Sequence, residues 1–230
     1  MSDVGKRICT NIQRPNISIV EKFRGIPVAN ISDSMNRLFC MHSGIKPMGQ
    51  GKRLLGTAFT VKAPQGDNLL FNKALSLALP GDVIVVDACG DLNQSVCGDI
   101  MFQYAEKKGI AGFIIDGCIR DVDYLQNRDF PVYARGVTPR GPYKIGVGEI
   151  NSDISCGNQV VHPGDILVGD SDGVVVIRPA DAEKIYQDVL AVIEREATCD
   201  RIIAEGQWEE SPAFQVFENL LKNSGYNIFD

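Results

Sequence analysis

Residues 98–121 have the sequence GDIMFQYAEKKGIAGFIIDGCIRD, and this stretch indicates an α/β fold. The apolar spacing over residues 100–108 predicts a helix, and the apolar run at 112–116 predicts a buried strand. A helix followed by a strand brings the chain back on itself, so Asp99 and the pair Arg120-Asp121 are expected to converge. Two carboxylates and a guanidinium in one place would form a candidate metal and oxyacid site.

Each of these residues also has an ordinary structural interpretation. An aspartate at the start of a helix, such as Asp99, is a common N-cap. An Arg-Asp pair after a strand, such as Arg120-Asp121, is typical of a solvated turn. For any one residue alone the ordinary interpretation is favoured, whereas the three together indicate a site.

The rest of the chain alternates between helix and strand patterns. Because helices and strands alternate early and strands pair late, we predict an α/β fold with a mixed sheet, not a closed barrel or a Rossmann fold. Gly206 is expected to end the last helix. The predicted helices cover residues 17–23, 32–38, 66–79, 121–126 and 180–204, and the predicted strands cover 54–63, 83–86, 131–134 and two segments within 160–177.

Composition excludes several classes of protein. The 230 residues, 44% of them hydrophobic, predict a single domain over residues 1–230. No apolar run approaches the roughly 20 residues that span a bilayer, and no signal-peptide pattern follows residues 1–6, so we expect a cytoplasmic protein without a membrane partner. A net charge of −6 with interspersed signs gives no support for nucleic-acid binding. The seven cysteines have no C-x-x-C spacing and are expected to be mostly buried free thiols.

Several motifs resemble those of the RraA-like family. They are Asn30-Ile31-Ser32-Asp33-Ser34, Pro80-Gly81-Asp82-Val83 and the run HPGDILVGDSDGVVVI at 162–177. Within the family, Asp99 followed after twenty residues by Arg120-Asp121 resembles the class II pyruvate aldolases, which act on 4-hydroxy-4-methyl-2-oxoglutarate and 4-carboxy-4-hydroxy-2-oxoadipate. The resemblance runs from about residue 20 to 206, leaves 207–230 as a tail, and implies an α-β-β-α sandwich of the swivelling β/β/α type, assembled into trimeric rings.

Asp121 is the predicted metal ligand. With only two histidines, His42 and His162, a three-histidine metal site or a histidine triad is not expected, and His162 is interpreted as structural. Carboxylates and waters suit Mg²⁺ or Mn²⁺ and would leave coordination positions for a 2-oxo acid. In catalytic relatives a glutamate of the long C-terminal helix reaches the adjacent subunit's site, and of Glu194 and Glu196, counting back from Gly206 favours Glu196. A glutamate on such a helix is more often simply solvated.

The remaining site residues are assigned to substrate. Arg120 would hydrogen-bond a developing enolate oxygen or the leaving carbonyl. The helix start at Gly98-Asp99-Ile100-Met101 would bind a carboxylate through its backbone N–H groups. Asp99, by its place in the family, would accept the proton of a 4-hydroxyl group through a water molecule. Asn68 could reach a substrate carboxylate, although capping of the following helix is the favoured interpretation.

Together these residues predict a divalent-metal-dependent aldolase that cleaves a 4-hydroxy-2-oxo acid to pyruvate and a second carbonyl compound. Oxaloacetate decarboxylation would use the same enolate. The expected partners are a small 2-oxo acid and further copies of the chain, as a trimer or hexamer. One alternative is a non-catalytic trimeric regulator that binds a ribonuclease. The presence of Asp121 argues against this alternative, because the family's regulators lack the second aspartate. Another is a class I aldolase with a Schiff base on Lys62. A methyltransferase is set aside because residues 86–90 lack spaced glycines.

Overall fold

The structure, a computed structural model, describes residues 3–51 and 53–226. The chain divides into two units, Met1–Tyr186 and Gln187–Asp230. The strands are β1 (Lys6–Ile8), β2 (Lys46–Pro47), β3 (Leu54–Lys62), β4 (Asp82–Ser95), β5 (Gly112–Ile119), β6 (Val132–Val137), β7 (Gly148–Ile150), β8 (Ile154–Cys156), β9 (Gln159–Val161), β10 (Ile166–Gly169) and β11 (Val174–Ile177). The helices are α1 (Ile17–Glu21), α2 (Val28–Ser34), α3 (Leu69–Leu77), α4 (Asp99–Lys108), α5 (Val122–Leu125), α6 (Ala182–Ala204) and α7 (Pro212–Asn223).

Four parallel strands, β3 to β6, form the centre of the first unit. Every residue of β5 is buried, as is typical of a parallel strand covered on both faces. One face packs on α3 and α4, where the ring centroid of Phe113 lies 5.0 Å from that of Phe71 and 6.1 Å from that of Phe102. The other face, which includes Ile114 and Tyr133, packs on β8 to β11. Helix α2 lies against β11, which completes an α-β-β-α order of layers.

Antiparallel pairings make the sheet mixed, as predicted. Strand β3 pairs with β10 along Leu54–Thr57 and with β7 at Val61–Lys62. Strand β1 lies parallel beside β7, and β2 lies antiparallel beside β6. The order of the main sheet is therefore β1-β7-β3-β4-β5-β6-β2, with the β10–β11 hairpin joined through β3.

Three predicted boundaries were wrong. Helix α2 begins after Pro27, not at residue 32, and ends before Asn36 and Arg37, whose φ angles are 55° and 62°. Strand β4 extends far beyond residue 86, because the chain leaves the ladder at a bulge and then rejoins it. The region 160–177 holds parts of three strands instead of two, because β9 ends before the turn at Pro163-Gly164.

The expectation of mostly buried cysteines was also wrong. All seven thiols are free, but only three of them are buried. A small thiol follows the demands of local packing, and of the other four, Cys9 and Cys89 are exposed whereas Cys40 and Cys199 are partly buried. The buried thiols are those of Cys97, Cys118 and Cys156.

The second unit contains most of α6, a short 3₁₀ turn at Trp208–Glu210, and α7. Gly206 ends α6 as predicted: its φ is 72°, and the following Gln207 N–H donates to Ile202 O at 3.0 Å. Ser211 caps α7 by accepting from the Phe214 N–H at 3.1 Å. In the described part of the chain, no helix combines the length and apolar character needed to cross a membrane. The prediction of one domain over residues 1–230 stays a prediction.

Candidate active site

The predicted site forms where the ladder between β4 and β5 continues past the body of the sheet. After the bulge at Cys89 and Gly90, whose φ angles are 59° and 68°, β4 pairs again with β5. The Arg120 N–H then donates to Cys97 O at 3.0 Å. Two neighbouring strand ends therefore deliver Gly98 and Asp121 to the same place, and the predicted convergence is confirmed.

Asp121 faces back toward α4 instead of capping its own helix. Its φ of 56° and ψ of 38° are left-handed, a conformation that aspartate adopts more readily than most residues. Its Oδ2 accepts from the Asp99 N–H and lies 3.2 Å from Arg120 Nε. Within residues 3–51 and 53–226, no donor is hydrogen-bonded to Oδ1, so this oxygen is available to a ligand.

Gly98 makes this arrangement possible for a steric reason. Its backbone is extended, with φ of −154°, so conformational freedom is not the requirement. A Cβ at this position would lie 2.2 Å from Asp121 Oδ2 and 3.0 Å from Arg120 Nε. Only glycine leaves room for the carboxylate and guanidinium to meet beside the start of α4.

Asp99 is not a plain N-cap. Gly98 occupies the cap position of α4, and Asp99 lies in the first turn. Its Oδ2 is 3.5 Å from Gln103 Nε2 on the same helix. The Asp99 N–H already serves Asp121, and the Met101 N–H donates to Gly98 O at 3.0 Å. Asp99 is partly exposed, so its carboxylate is accessible to a ligand or a water molecule.

Gly98, Asp99 and Arg120 line a cleft of about 170 Å³, whereas Asp121 contacts Asp99 and Arg120 without lining the cleft itself. Sequence reasoning missed Lys144, which brings a second cation to the cleft beside Arg120. Within the described residues it forms no ion pair with a carboxylate. Its loop follows β6 at the same edge of the sheet, where ligand-binding loops gather, and that position was the available signal. The lining residues are Asn68, Asn72, Cys97, Gly98, Asp99, Ile100, Met101, Arg120, Pro142 and Lys144.

Asn68 lines the cleft, but its predicted capping role was wrong. It stands at the N-cap position of α3 without a side-chain capping bond. Asp67 supplies that bond, because its Oδ1 accepts from the Leu69 N–H at 2.9 Å. The Asn68 Nδ2 instead donates to Val96 O at 3.0 Å, which ties α3 to the segment before Gly98. Contact of Asn68 with a substrate stays a prediction.

Cys97 forms part of the floor of the cleft. Burial, reinforced by the nearby Asp121 carboxylate, raises the pKa of its thiol far above the usual range. The thiol therefore stays protonated at neutral pH and is not a nucleophile. The chemistry of the cleft is left to its carboxylates and cations.

The donor set fits a hard divalent cation held mainly by water and substrate. No group of three or more metal-ligating His, Cys, Asp or Glu side chains occurs within the described ranges. One or two carboxylates plus waters are typical of Mg²⁺ sites, and Asp121 and Asp99 are of that kind. Glu196 lies in α6 within the second unit, and its role stays a prediction.

The other basic candidates lie outside the cleft. His162 Nδ1 is 3.3 Å from Asp165 Oδ2, in agreement with its structural interpretation. Lys62 Nζ lies 3.6 Å from Asp87 Oδ2 and does not line the cleft. The Schiff base on Lys62 considered as an alternative therefore has no geometric support in this cleft.

The fold and site define a class of α/β proteins that place an Arg-Asp pair against a glycine-aspartate helix start. The family model described as RraA-like, Aldolase/RraA, matches residues 28–176. The chain belongs to the RraA-like family. It is 42% identical over 176 residues to a Halalkalibacterium halodurans protein named as a candidate 4-hydroxy-4-methyl-2-oxoglutarate aldolase, covering 76% of this chain and 84% of that one.

Two solved structures show the same fold. An uncharacterized protein from Pseudomonas syringae pv. tomato superposes with a TM-score of 0.73 at 27% identity, covering 85% of this chain and 96% of that chain. The RNA-processing inhibitor RraA from Thermus thermophilus superposes with a TM-score of 0.61 at 28% identity, covering 66% and 92%. The family therefore includes proteins with an aldolase name and proteins with a regulator name.

Proposed function

We propose that this protein is a divalent-metal-dependent aldolase that cleaves a 4-hydroxy-2-oxo acid to pyruvate and a second carbonyl compound. The observation that carries the proposal is the meeting of Asp99, Arg120 and Asp121 around Gly98, at a cleft that Asp99 and Arg120 line. The name of the 42% identical relative supports the same reaction class. A site that served only as a protein-binding surface would have no need for this constellation.

The substrate is an anion, and the cleft offers two kinds of group to hold it. Lys144 presents an ammonium without a carboxylate partner among the described residues. The first turn of α4 presents the Ile100 backbone N–H at the positive end of the helix dipole, since the Asp99 N–H already donates to Asp121. We assign the carboxylates of the 2-oxo acid to these groups, which orients the bond to be broken toward Arg120.

Bond cleavage then requires one proton acceptor and one stabiliser of negative charge. Asp99, acting through a water molecule, accepts the proton of the 4-hydroxyl, and the C3–C4 bond breaks as C4 becomes a carbonyl. The electron pair moves to the pyruvate fragment as an enolate, whose oxygen accepts a hydrogen bond from Arg120. Return of a proton to C3 completes pyruvate. Loss of carbon dioxide from oxaloacetate passes through the same enolate.

Asp121 is the proposed direct ligand of Mg²⁺ or Mn²⁺, with Glu196 of an adjacent subunit as a further member of the metal site. A divalent cation supplies Lewis-acid polarisation of the 2-oxo group. Sharing of a site between chains implies a homo-oligomer, a trimer or hexamer, and the proposed location is the cytoplasm.

Pyruvate release from 4-hydroxy-2-oxo acids and from oxaloacetate, with and without Mg²⁺, tests the proposal. We expect turnover that EDTA stops and added Mg²⁺ restores. Asp121→Asn should lose metal-dependent turnover, whereas the control Asp123→Asn, at an exposed carboxylate two residues further on, should retain it. Turnover by Asp121→Asn at the wild-type rate would refute the metal assignment. Borohydride with pyruvate should trap no adduct on Lys62.

The alternative function is a non-catalytic regulator that binds a ribonuclease. The structural likeness to the inhibitor from T. thermophilus supports it. Under this alternative, Asp121→Asn would bind the ribonuclease as the wild type does, and no 2-oxo acid would be cleaved.

A further inference from the structure

A buried carboxylate outside the cleft is hydrogen-bonded to the loop that carries Lys144. Asp67 is 1% exposed. Its Oδ1 accepts from the Leu69 N–H at 2.9 Å, at the start of α3. Its Oδ2 accepts from the Ile145 N–H and, at 3.1 Å, from the Gly146 N–H. A single side chain thus joins the first turn of α3 to the peptide group that follows Lys144.

The residue type is informative because both carboxylate oxygens act as acceptors. An asparagine has one acceptor and one donor, so its NH₂ group would face a backbone N–H on one side or the other. That buried donor would be left unsatisfied, which is costly. A capping bond alone would not need a carboxylate, since asparagine caps helices equally well. The carboxylate of Asp67 is therefore needed to hold the loop that carries Lys144 as well as to cap the first turn of α3.

We propose that Asp67 is a positioning residue that holds Lys144 at the cleft, where it binds the substrate carboxylate. This inference rests on the proposed function, because it takes the ligand of Lys144 to be a 2-oxo acid. Lys144 is exposed, and within the described residues no carboxylate pairs with its ammonium group, so the position of its backbone limits where that group can reach.

The loop is attached at a second point, which keeps the proposal testable. The Tyr143 N–H donates to Gly66 O at 2.7 Å, and the Asn68 N–H donates to Tyr143 O at 3.1 Å. These backbone bonds do not involve the Asp67 side chain. Asp67→Asn should therefore leave the loop attached at Tyr143 and release it at Ile145 and Gly146, so that the chain folds but the position of Lys144 is no longer defined.

The experiment is a double-mutant cycle read by pyruvate affinity in the presence of Mg²⁺, measured by calorimetry. We expect Lys144→Ala and Asp67→Asn each to weaken pyruvate binding by about tenfold or more, since a charge-assisted hydrogen bond is lost. If Asp67 acts through Lys144, the double variant should bind no more weakly than Lys144→Ala, within about twofold. Hydrogen exchange should speed up at the Ile145 and Gly146 amides in Asp67→Asn.

Asp165→Asn is the matched control. Asp165 is 3% exposed and accepts from the His162 N–H at 2.8 Å, so it also fastens a turn, but it lies outside the cleft. Its substitution should leave pyruvate affinity unchanged. Three results would each overturn the positioning role while leaving the aldolase proposal standing. They are wild-type pyruvate affinity in Asp67→Asn, a loss of affinity in the double variant equal to the product of the two single losses, and unchanged hydrogen exchange at the Ile145 and Gly146 amides. Failure of the wild type to bind pyruvate would overturn both.

Discussion

Gly98 shows how one residue can govern the site without taking part in its chemistry. The atom that a larger residue would add, its Cβ, would lie 2.2 Å from Asp121 Oδ2. Since the backbone there is extended, the constraint is space and not backbone conformation. The Gly98-Asp99 pair at the start of α4 therefore acts as a unit, in which the glycine leaves room for the Asp121 carboxylate and the aspartate supplies a second carboxylate.

Gly98→Ala should lower pyruvate release by about 100-fold or more, because Asp121 must move by an ångström or so to admit the methyl group. Folding should be preserved, since the displaced groups are partly exposed. The control is Gly136→Ala in β6, where a Cβ would meet only Cys118 Sγ closer than 3.4 Å. Steady-state kinetics and a melting curve for both variants provide the test. Equal activity of Gly98→Ala and the wild type would show that Asp121 does not need its present position.

At the scale of elements, α3, α4 and β5 are locked together by aromatic rings. Phe113 lies at the centre of this group, with ring centroids 5.0 Å from Phe71 and 5.2 Å from Phe130, both in edge-to-face geometry. These contacts determine where α4 starts relative to the end of β5. The proposed catalytic groups at those two points are therefore supported by the packing of these rings against the sheet.

Phe113→Ala should destabilise the protein by about 3–5 kcal/mol, because it removes a fully buried ring and leaves a cavity among three others. Urea unfolding measures the effect. Val160→Ala in β9 is the control, since this side chain is 56% exposed and its truncation should cost no more than about 0.5 kcal/mol. Similar midpoints for the two variants would contradict the central place of Phe113.

The stability that the pairing of β1 with β7 gives the fold is expected to depend on pH. Hydrogen bonds from Arg7 and from the Gly5 N–H to Glu149 lower the pKa of its carboxyl below the ordinary 4.5. A depressed folded-state pKa gives stability that is present above about pH 4.5 and is lost as the pH falls through the folded value. Glu149→Gln should thus be less stable than the wild type at pH 7, and the difference should shrink below pH 4.5. Melting temperatures across pH 3–7 test this, and a constant difference would contradict it.

At the scale of the whole molecule, the proposed sharing of sites between chains has a measurable signature. Asp121→Asn chains and Glu196→Gln chains should each be inactive alone. After subunit exchange at equal amounts, about a quarter of the sites should carry neither lesion, since each site draws one residue from each of two chains. Pyruvate release should recover to that level. Full activity of Glu196→Gln alone would make this residue an ordinary helix position, and no recovery would place both residues in one chain.

The local patterns of the sequence determined much of this protein. Helix α4 and strands β3 and β5 follow from hydrophobic periodicity, because each buries a face that its own residues define. The convergence of Asp99 with Arg120-Asp121 followed from a helix and a strand of suitable length.

Tertiary structure alone decided the rest, because the deciding contacts join residues far apart in the chain. The bulge at Cys89 and Gly90 lets β4 rejoin β5 and extends the ladder to the site, and no local pattern marked it. Lys144 reaches the cleft only through a loop that Asp67 holds from 78 residues away. The partners of a buried polar group are chosen by the fold, so Asn68 occupies the N-cap position of α3 but the Asp67 side chain makes the bond to the first turn.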